Sequence, residues 1–300
     1  MNKVLKAHLS LLTANVIYAA SFTITKYVTP EHIKPFGLVL LRELGATPLF
    51  WITGFLFIKE KTERSDIPKL MLLGICGVVI NQLLFIKGLS ITSPISAAIM
   101  MITTPILVLL IAGLLIKEKI TPIKLSGVFI GFAGAALLMM VSHHSPTNSD
   151  NAFGDFLIFI NALSWGTYLV LVKPFMKKYH TITILKWVFL SGLIIVLPFG
   201  YKDLSDVQWS QFTNDIWFFT IFVVVATTFF AYLLNVYALK ALSPSVVSAY
   251  IYLQPFLATV IALAAGSDKP DWIKVLSALL IFTGVYLVSR SRKTSTLETV

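Results

Sequence analysis

Two stretches decide the fold: "SPISAAIMMITTP", Ser93–Pro105, and "SPSVVSAYIYLQP", Ser243–Pro255. Both open with Ser-Pro and close with Pro at the same spacing, 150 positions apart. The same offset continues without a gap through Leu89/Leu239, Ile111/Ile261, Ala112/Ala262, Lys119/Lys269, Lys124/Lys274, Phe132/Phe282 and Gly134/Gly284. Upstream, an offset of 147 lays "YAASFTITK" (Tyr18–Lys26) over "WGTYLVLVK" (Trp165–Lys173). Shared apolar composition raises chance matches, but it does not place paired prolines at one spacing. The chain therefore reads as two related halves, residues 1–146 and 147–300.

Composition sets the solvent. The chain has 300 residues, 57% hydrophobic and only 13% charged, with a mean hydropathy of +0.84. A soluble domain carries roughly 25% charged residues, so this chain cannot cover a surface facing water. Its apolar residues come in runs of about 20, the length that crosses a hydrocarbon core of roughly 30 Å. The net charge of +10 does not point to nucleic acid, because the basic residues sit in short gaps between apolar runs. The single cysteine, Cys76, has no partner for a disulfide within the chain.

Ten apolar segments follow: Ala7–Val28, Pro35–Ile58, Pro68–Leu89, Pro94–Ile116, Pro122–Val141, Phe153–Val172, Ile182–Gly200, Ile216–Leu239, Pro244–Ala265 and Trp272–Ser289. Proline at or near several starts suits a first helical turn, where the missing N–H costs nothing. The first segment has the look of a signal peptide, but its counterpart in the second half marks it as a helix. The fold class is thus an all-α integral membrane protein with ten transmembrane helices in two five-helix repeats. Five is odd, so the second repeat enters the membrane upside down. Inverted repeats mark secondary transporters, whose substrate site lies near the midplane between the halves. Lys59, Lys61, Arg64, Lys69, Lys117, Lys119, Lys124, Lys177, Lys178, Lys240, Arg292 and Lys293 fall on one side, against Lys34, Lys202, Lys269 and Lys274 on the other. That bias puts both termini in the cytoplasm.

Here the chain resembles a known family. Ten segments, inverted repeats and the Leu-x₃-Ser-Pro-x₁₀-Pro pattern at Leu89–Pro105 and Leu239–Pro255 are similar to the EamA-type members of the drug/metabolite transporter superfamily. So are "KEKITPIKLSGVFIGFAGAALL" (Lys117–Leu138) and its weaker twin "SDKPDWIKVLSALLIFTGVYLV" (Ser267–Val288). The family usually reads Gly-Glu there; Glu118 matches, Lys117 replaces the glycine, and Asp268 departs conservatively. The resemblance implies a permease of the bacterial inner membrane, usually an exporter of amino acids or related metabolites. It also implies a cavity lined by helices one, three, four, six, eight and nine, with helix two peripheral.

Candidate site residues come from helical spacing. Asn15, Tyr18 and Phe22 share a face of the first segment, and Asn161, Trp165 and Tyr168 share one of the sixth. Asn81, Gln82, Asn235, Tyr250, Tyr252 and Gln254 add polar groups that are costly in lipid unless they face the bundle or water. Small polar groups of this kind suit a neutral or zwitterionic small-molecule substrate. Arg42 and Glu43 are intramembrane ionisable neighbours, and lie about 100° apart on a helix, so they are not expected to pair with each other. Glu43 is a candidate for proton coupling; a structural ion pair is the competing role for both. Pro105 and Pro255 are expected to kink their helices for gating. Lys87 and Lys186 are expected to snorkel to the interface, and His143 and His144 to belong to a solvated linker. A phosphorylated or nucleotide-linked cargo, a membrane enzyme and a receptor are the alternatives. No catalytic motif, metal-ligand motif or cofactor signature is legible. The expected partners are a small-molecule substrate, the lipid bilayer and protons, and a monomer suffices.

Overall fold

The computed structural model describes residues 2–142, 151–264 and 272–290. His143, His144, Asp268, Lys269, Arg292 and Lys293 lie outside the described residues. Among the described residues nine helices are long and apolar enough to cross a membrane, and a tenth, shorter in its apolar stretch, runs Pro122–Leu138. We number them in chain order. Helices α1 (Lys3–Val28), α2 (Pro35–Phe57), α3 (Ile67–Ile91), α4 (Pro94–Met101 and Thr104–Leu115) and α5 (Pro122–Ser142) form the first repeat. Helices α6 (Ala152–Val172), α7 (Thr181–Ser205), α8 (Asn214–Ala238), α9 (Pro244–Ala249 and Leu253–Ala264) and α10 (Trp272–Arg290) form the second. Prolines stand in the first turn of α2 and of both α4 pieces, where no helical N–H is lost.

The packing repeats itself under exchange of the halves. Helix α5 packs on α10, α2 on α7 and α4 on α9. Helix α3 lies on α6 as α8 lies on α1, and α4 lies on α6 as α9 lies on α1. The α5–α10 contact brings backbones together: a Cβ at Gly284 would stand 2.5 Å from Gly131 N and 2.6 Å from Gly127 O. Small residues are how membrane helices gain close van der Waals contact where lipid supplies no hydrophobic drive. Phe55, Leu114 and Trp272 are more than four-fifths exposed and face the bilayer.

Both prolines of the repeated stretch mark breaks. Helix α4 is interrupted between Met101 and Thr104, and α9 passes through a 3₁₀ turn at Tyr250–Tyr252. Each break lies just ahead of its proline, where the ring removes a helical N–H and crowds the preceding turn. Two further irregularities are unannounced by the sequence. Helix α3 widens into a π segment at Ile75–Ile80 and α8 into one at Phe222–Phe230. Their starts are related by the 147 offset. At the end of α4, Lys117 takes φ 52°, the left-handed conformation that glycine adopts at no cost. Glu118 N donates to Ala112 O at 3.0 Å and closes the helix. The residue where the resembled family has glycine is thus a lysine in a glycine conformation.

Side-chain bonds fix which helix ends lie together. At the end where α1 begins, His8 Nδ1 meets Tyr250 Oη at 2.7 Å, and Asp66 accepts from Lys178 Nζ at 2.7 Å and Tyr179 Oη at 2.8 Å. Lys124 pairs with Glu118 at 2.8 Å on the short α4–α5 connection. We call this the near end. At the far end Thr92 donates to Asp155 at 2.7 Å, and Lys34 pairs with Asp206 at 2.8 Å. Lys26, at the end of α1, donates to Leu89 O, Ser90 O and Thr92 O at 2.8–3.1 Å, stapling the α3–α4 turn. Its twin Lys173, at the end of α6, donates to Leu239 O and Leu242 O and staples the α8–α9 turn at the near end.

Candidate functional site

A cavity opens at the centre, between the two repeats. Helix α1 presents Asn15, Tyr18, Ser21, Phe22 and Thr25 to it, all on one helical face. Asn161 and Trp165 of α6 face them, with Asn81, Gln82 and Phe85 of α3. Thr227, Tyr232 and Asn235 come from α8, Val247, Ile251 and Gln254 from α9, and Met101 from α4. The void between these walls is about 70 Å³, and about 720 Å³ when the open mouth is counted. Arg42 of α2 also lines it, so helix two is not peripheral as the resemblance implied.

The wall is a hydrogen-bonded lattice of amides and phenols. Gln254 Nε2 donates to Asn15 Oδ1 at 2.9 Å, and Asn15 Nδ2 to Leu11 O at 2.8 Å. Asn161 Nδ2 donates to Asn81 O at 2.7 Å, and Tyr232 Oη to Asn81 Oδ1 at 2.7 Å. The π segment of α3 explains why these bonds cross helices. Wider turns leave carbonyls without an intrahelical partner, and in lipid depth those carbonyls need side-chain donors. Ser164 Oγ reaches Cys76 O at 2.8 Å and Tyr232 Oη lies 3.1 Å from Gly77 O. The aromatic part is built on Trp165, edge-to-face with Tyr232 at 5.2 Å, and on Phe22, edge-to-face with Phe85 at 5.7 Å.

Arg42 and Glu43 go to different partners. Arg42 Nε donates to Thr228 Oγ1 at 2.8 Å, and that hydroxyl donates to Val223 O in the α8 π segment. Glu43 is fully buried behind the wall, where Oε1 accepts from Gln82 Nε2 at 2.8 Å.

Several expected residues stand off the cavity. Tyr168 is fully buried, tilted against Trp165 at 5.3 Å. A Cβ at Gly77 would come within 2.5 Å of its ring, so the ring lies flat on the α3 backbone. Tyr250 turns to His8, and Tyr252 is fully buried against Gly131. Pro105 and Pro255 shape α4 and α9 without touching the cavity; their neighbours Met101 and Ile251, twins at the 150 offset, touch it instead. Lys87 and Lys186 are not on the wall, and Lys186 Nζ lies over the Trp51 ring at 5.3 Å. Tyr232, Phe85, Ser21, Thr25 and Thr227 were not singled out from the sequence. Ser21, Phe85 and Tyr232 stand three or four positions from chosen residues, a usable signal. Thr227 and Tyr232 are five apart, a spacing that only the π segment puts on one face.

The lining residues of α1, α3 and α4 fall in the far half of those helices and those of α8 and α9 in the near half, while Tyr168, Tyr250 and Tyr252 pack off the cavity against Gly77, His8 and Gly131. At the 147 offset Tyr168 corresponds to Ser21: a bulky buried residue in one repeat, a small lining residue in the other.

A bundle of two inverted helical repeats around a polar, aromatic cavity defines a membrane transporter. The comparisons with known proteins agree. The EamA-like transporter family matches the chain twice, over residues 5–140 and 152–290, and the chain belongs to that family. An uncharacterised transporter of Archaeoglobus fulgidus is 30% identical over 295 residues, covering 95% of this chain and 97% of that one. The uncharacterised transporter YyaM of Bacillus subtilis is 26% identical over 290 residues, covering 96% and 94%. Protein WALLS ARE THIN 1 of Arabidopsis thaliana is 24% identical over 336 residues, covering 98% and 86%. A solved crystal structure has the same fold, with a TM-score of 0.75 at 17% identity over 95% of this chain and 97% of that one.

Proposed function

We propose that the chain is a secondary carrier of the bacterial inner membrane that exports a small metabolite by alternating access, with both termini cytoplasmic and a monomer as the working unit. Residues 1–146 and 147–300 are its two moving halves. The observation that carries this reading is the central cavity, walled by α1, α3 and α4 of one repeat and α6, α8 and α9 of the other. With the termini inside, the near end is cytoplasmic, and Tyr168 and Tyr250 are bulky groups packed toward that side. Asn15, Tyr18, Phe22, Asn81, Asn161, Trp165, Asn235 and Gln254 contact the cargo. Glu43, bonded to the cavity residue Gln82, is the candidate carrier of the coupling proton. A phosphorylated cargo is disfavoured: Arg42 is the one cationic side chain on the wall among the described residues, and a dianion wants more than one.

The test is untargeted profiling of growth medium from bacteria expressing the wild type or the Tyr18→Ala/Trp165→Ala double variant at equal membrane levels. The expected result is a compound that builds up outside only with the wild type. Identical profiles across hosts of different metabolism would sink the reading.

A further inference from the structure

Hydrogen bonding around the cavity is incomplete in one pattern. Arg42 is only 4% exposed, and its Nε is held by Thr228, itself anchored on Val223 O. A guanidinium carries further N–H donors on its two Nη nitrogens. Among the described residues these have no hydrogen-bond partner, and Arg42 enters no ion pair. Its neighbour Glu43 is bonded to Gln82 instead. Glu43 acts on Arg42 only through space, and a buried guanidinium whose N–H donors are left open is costly in a membrane interior. That cost falls when an anion arrives.

Two acceptors complete the pattern. Gln82 and Asn161 are 1% and 2% exposed and line the cavity. Each is pinned through its amide nitrogen, Gln82 to Glu43 and Asn161 to Asn81 O. Their oxygens, Gln82 Oε1 and Asn161 Oδ1, are buried with no partner. The wall thus offers a forked donor, with Tyr18, Trp165 and Phe22 beside it, while these two acceptors are sealed behind the surface.

We propose that Arg42 is the specificity-determining residue of this site and receives the carboxylate of the cargo. This rests on the carrier reading above and narrows it to small organic carboxylates. A planar guanidinium fork matches a carboxylate through two parallel bonds. The hold of Thr228 on Nε fixes the orientation of the fork before the ligand arrives, which reduces the ordering cost of binding. One positive charge balances one carboxylate.

The experiment uses the full chain purified in detergent. Its thermal stability is titrated with L-phenylalanine, 3-phenylpropionate, 3-phenylpropionamide, phenethylamine and phenyl phosphate. The two carboxylates are expected to stabilise the wild type. Their carboxamide, amine and phosphate counterparts should require concentrations roughly tenfold higher or more for the same shift. A stronger effect of phenylalanine than of phenylpropionate assigns the zwitterion as the source of the carboxylate; the reverse assigns a simple acid. Arg42→Gln is expected to abolish the carboxylate preference and Arg42→Lys to retain part of it. Equal stabilisation by the carboxylate and its carboxamide, or no stabilisation by any carboxylate, overturns the proposal, and neither outcome depends on a variant folding. If the profiling shows a released compound while these ligands fail to discriminate, the carrier reading stands and this inference alone falls.

Discussion

Asp66 shows how one residue at the near end ties two connections together. It precedes α3 and accepts from Lys178 at 2.7 Å, Tyr179 at 2.8 Å and Lys69 at 3.1 Å. These donors, Lys178 foremost, hold its carboxyl well below the usual carboxylate range. The unfolded chain titrates Asp near pH 4. A depressed folded value means stability that is present above that pH and is lost as pH falls toward the folded value. Asp66→Asn should therefore lower the thermal midpoint by a few degrees at pH 7. The gap between variant and wild type should close as the pH drops below about 4. A gap of equal size at about pH 2 and pH 7, by calorimetry of the purified protein, would refute the role given to the carboxylate. Lys178, raised by the same contact, loses nothing until strongly alkaline pH, so acid is the side on which this link breaks.

At the scale of elements, the twin lysines are the working parts. Lys26 holds the α3–α4 turn to α1 at the far end, and Lys173 holds the α8–α9 turn to α6 at the near end. Each is a removable staple on a helix hairpin that ends in a proline-broken helix. Lys173→Met should loosen the near end and raise the labelling of Tyr250→Cys by a bulky maleimide several-fold. Lys26→Met should leave that labelling unchanged; equal effects of the two variants would argue against independent staples. The repeat offsets that pair these lysines are legible in the sequence, as are the ten segments and both breaks, because proline and lysine stand out against an apolar background. The π segments are not. They arise in runs such as "ICGVVI" (Ile75–Ile80), where every residue is apolar and no periodicity marks a wider turn. Thr227 was overlooked for that reason. Tyr168 and Tyr250 were misplaced for another: spacing assigns a face, but not the depth at which a neighbouring backbone covers it.

The whole molecule is symmetric in plan and asymmetric in side chains. Equivalent helices surround the cavity, yet Tyr168 is fully buried off it where its twin Ser21 lines it. Replacing the tyrosine by its twin residue, Tyr168→Ser, should uncover the α3 backbone beneath it. Cys76, beside Gly77, is half-buried and offers a native reporter. Its labelling from the near end in sealed vesicles should rise several-fold in the variant. Unchanged labelling, with the variant still folded, would mean that another group closes this end. Arg42 belongs to this scale as well. Its identity was legible, but its place on the cavity wall depends on how α2 meets the bent part of α8, which a single helix cannot reveal.

The α5–α10 contact has a geometric consequence. Exchanging the two repeats carries α5 into α10 and returns the same pair, as it does for α2 with α7. The α3–α6 pair instead becomes α8–α1. In a cycle whose two states are images of each other, self-conjugate pairs are invariants, and pairs that map onto others must trade places. Under the alternating access proposed above, the glycine-lined seam at Gly127, Gly131 and Gly284 would serve as a fixed axle about which α1, α3, α6 and α8 turn.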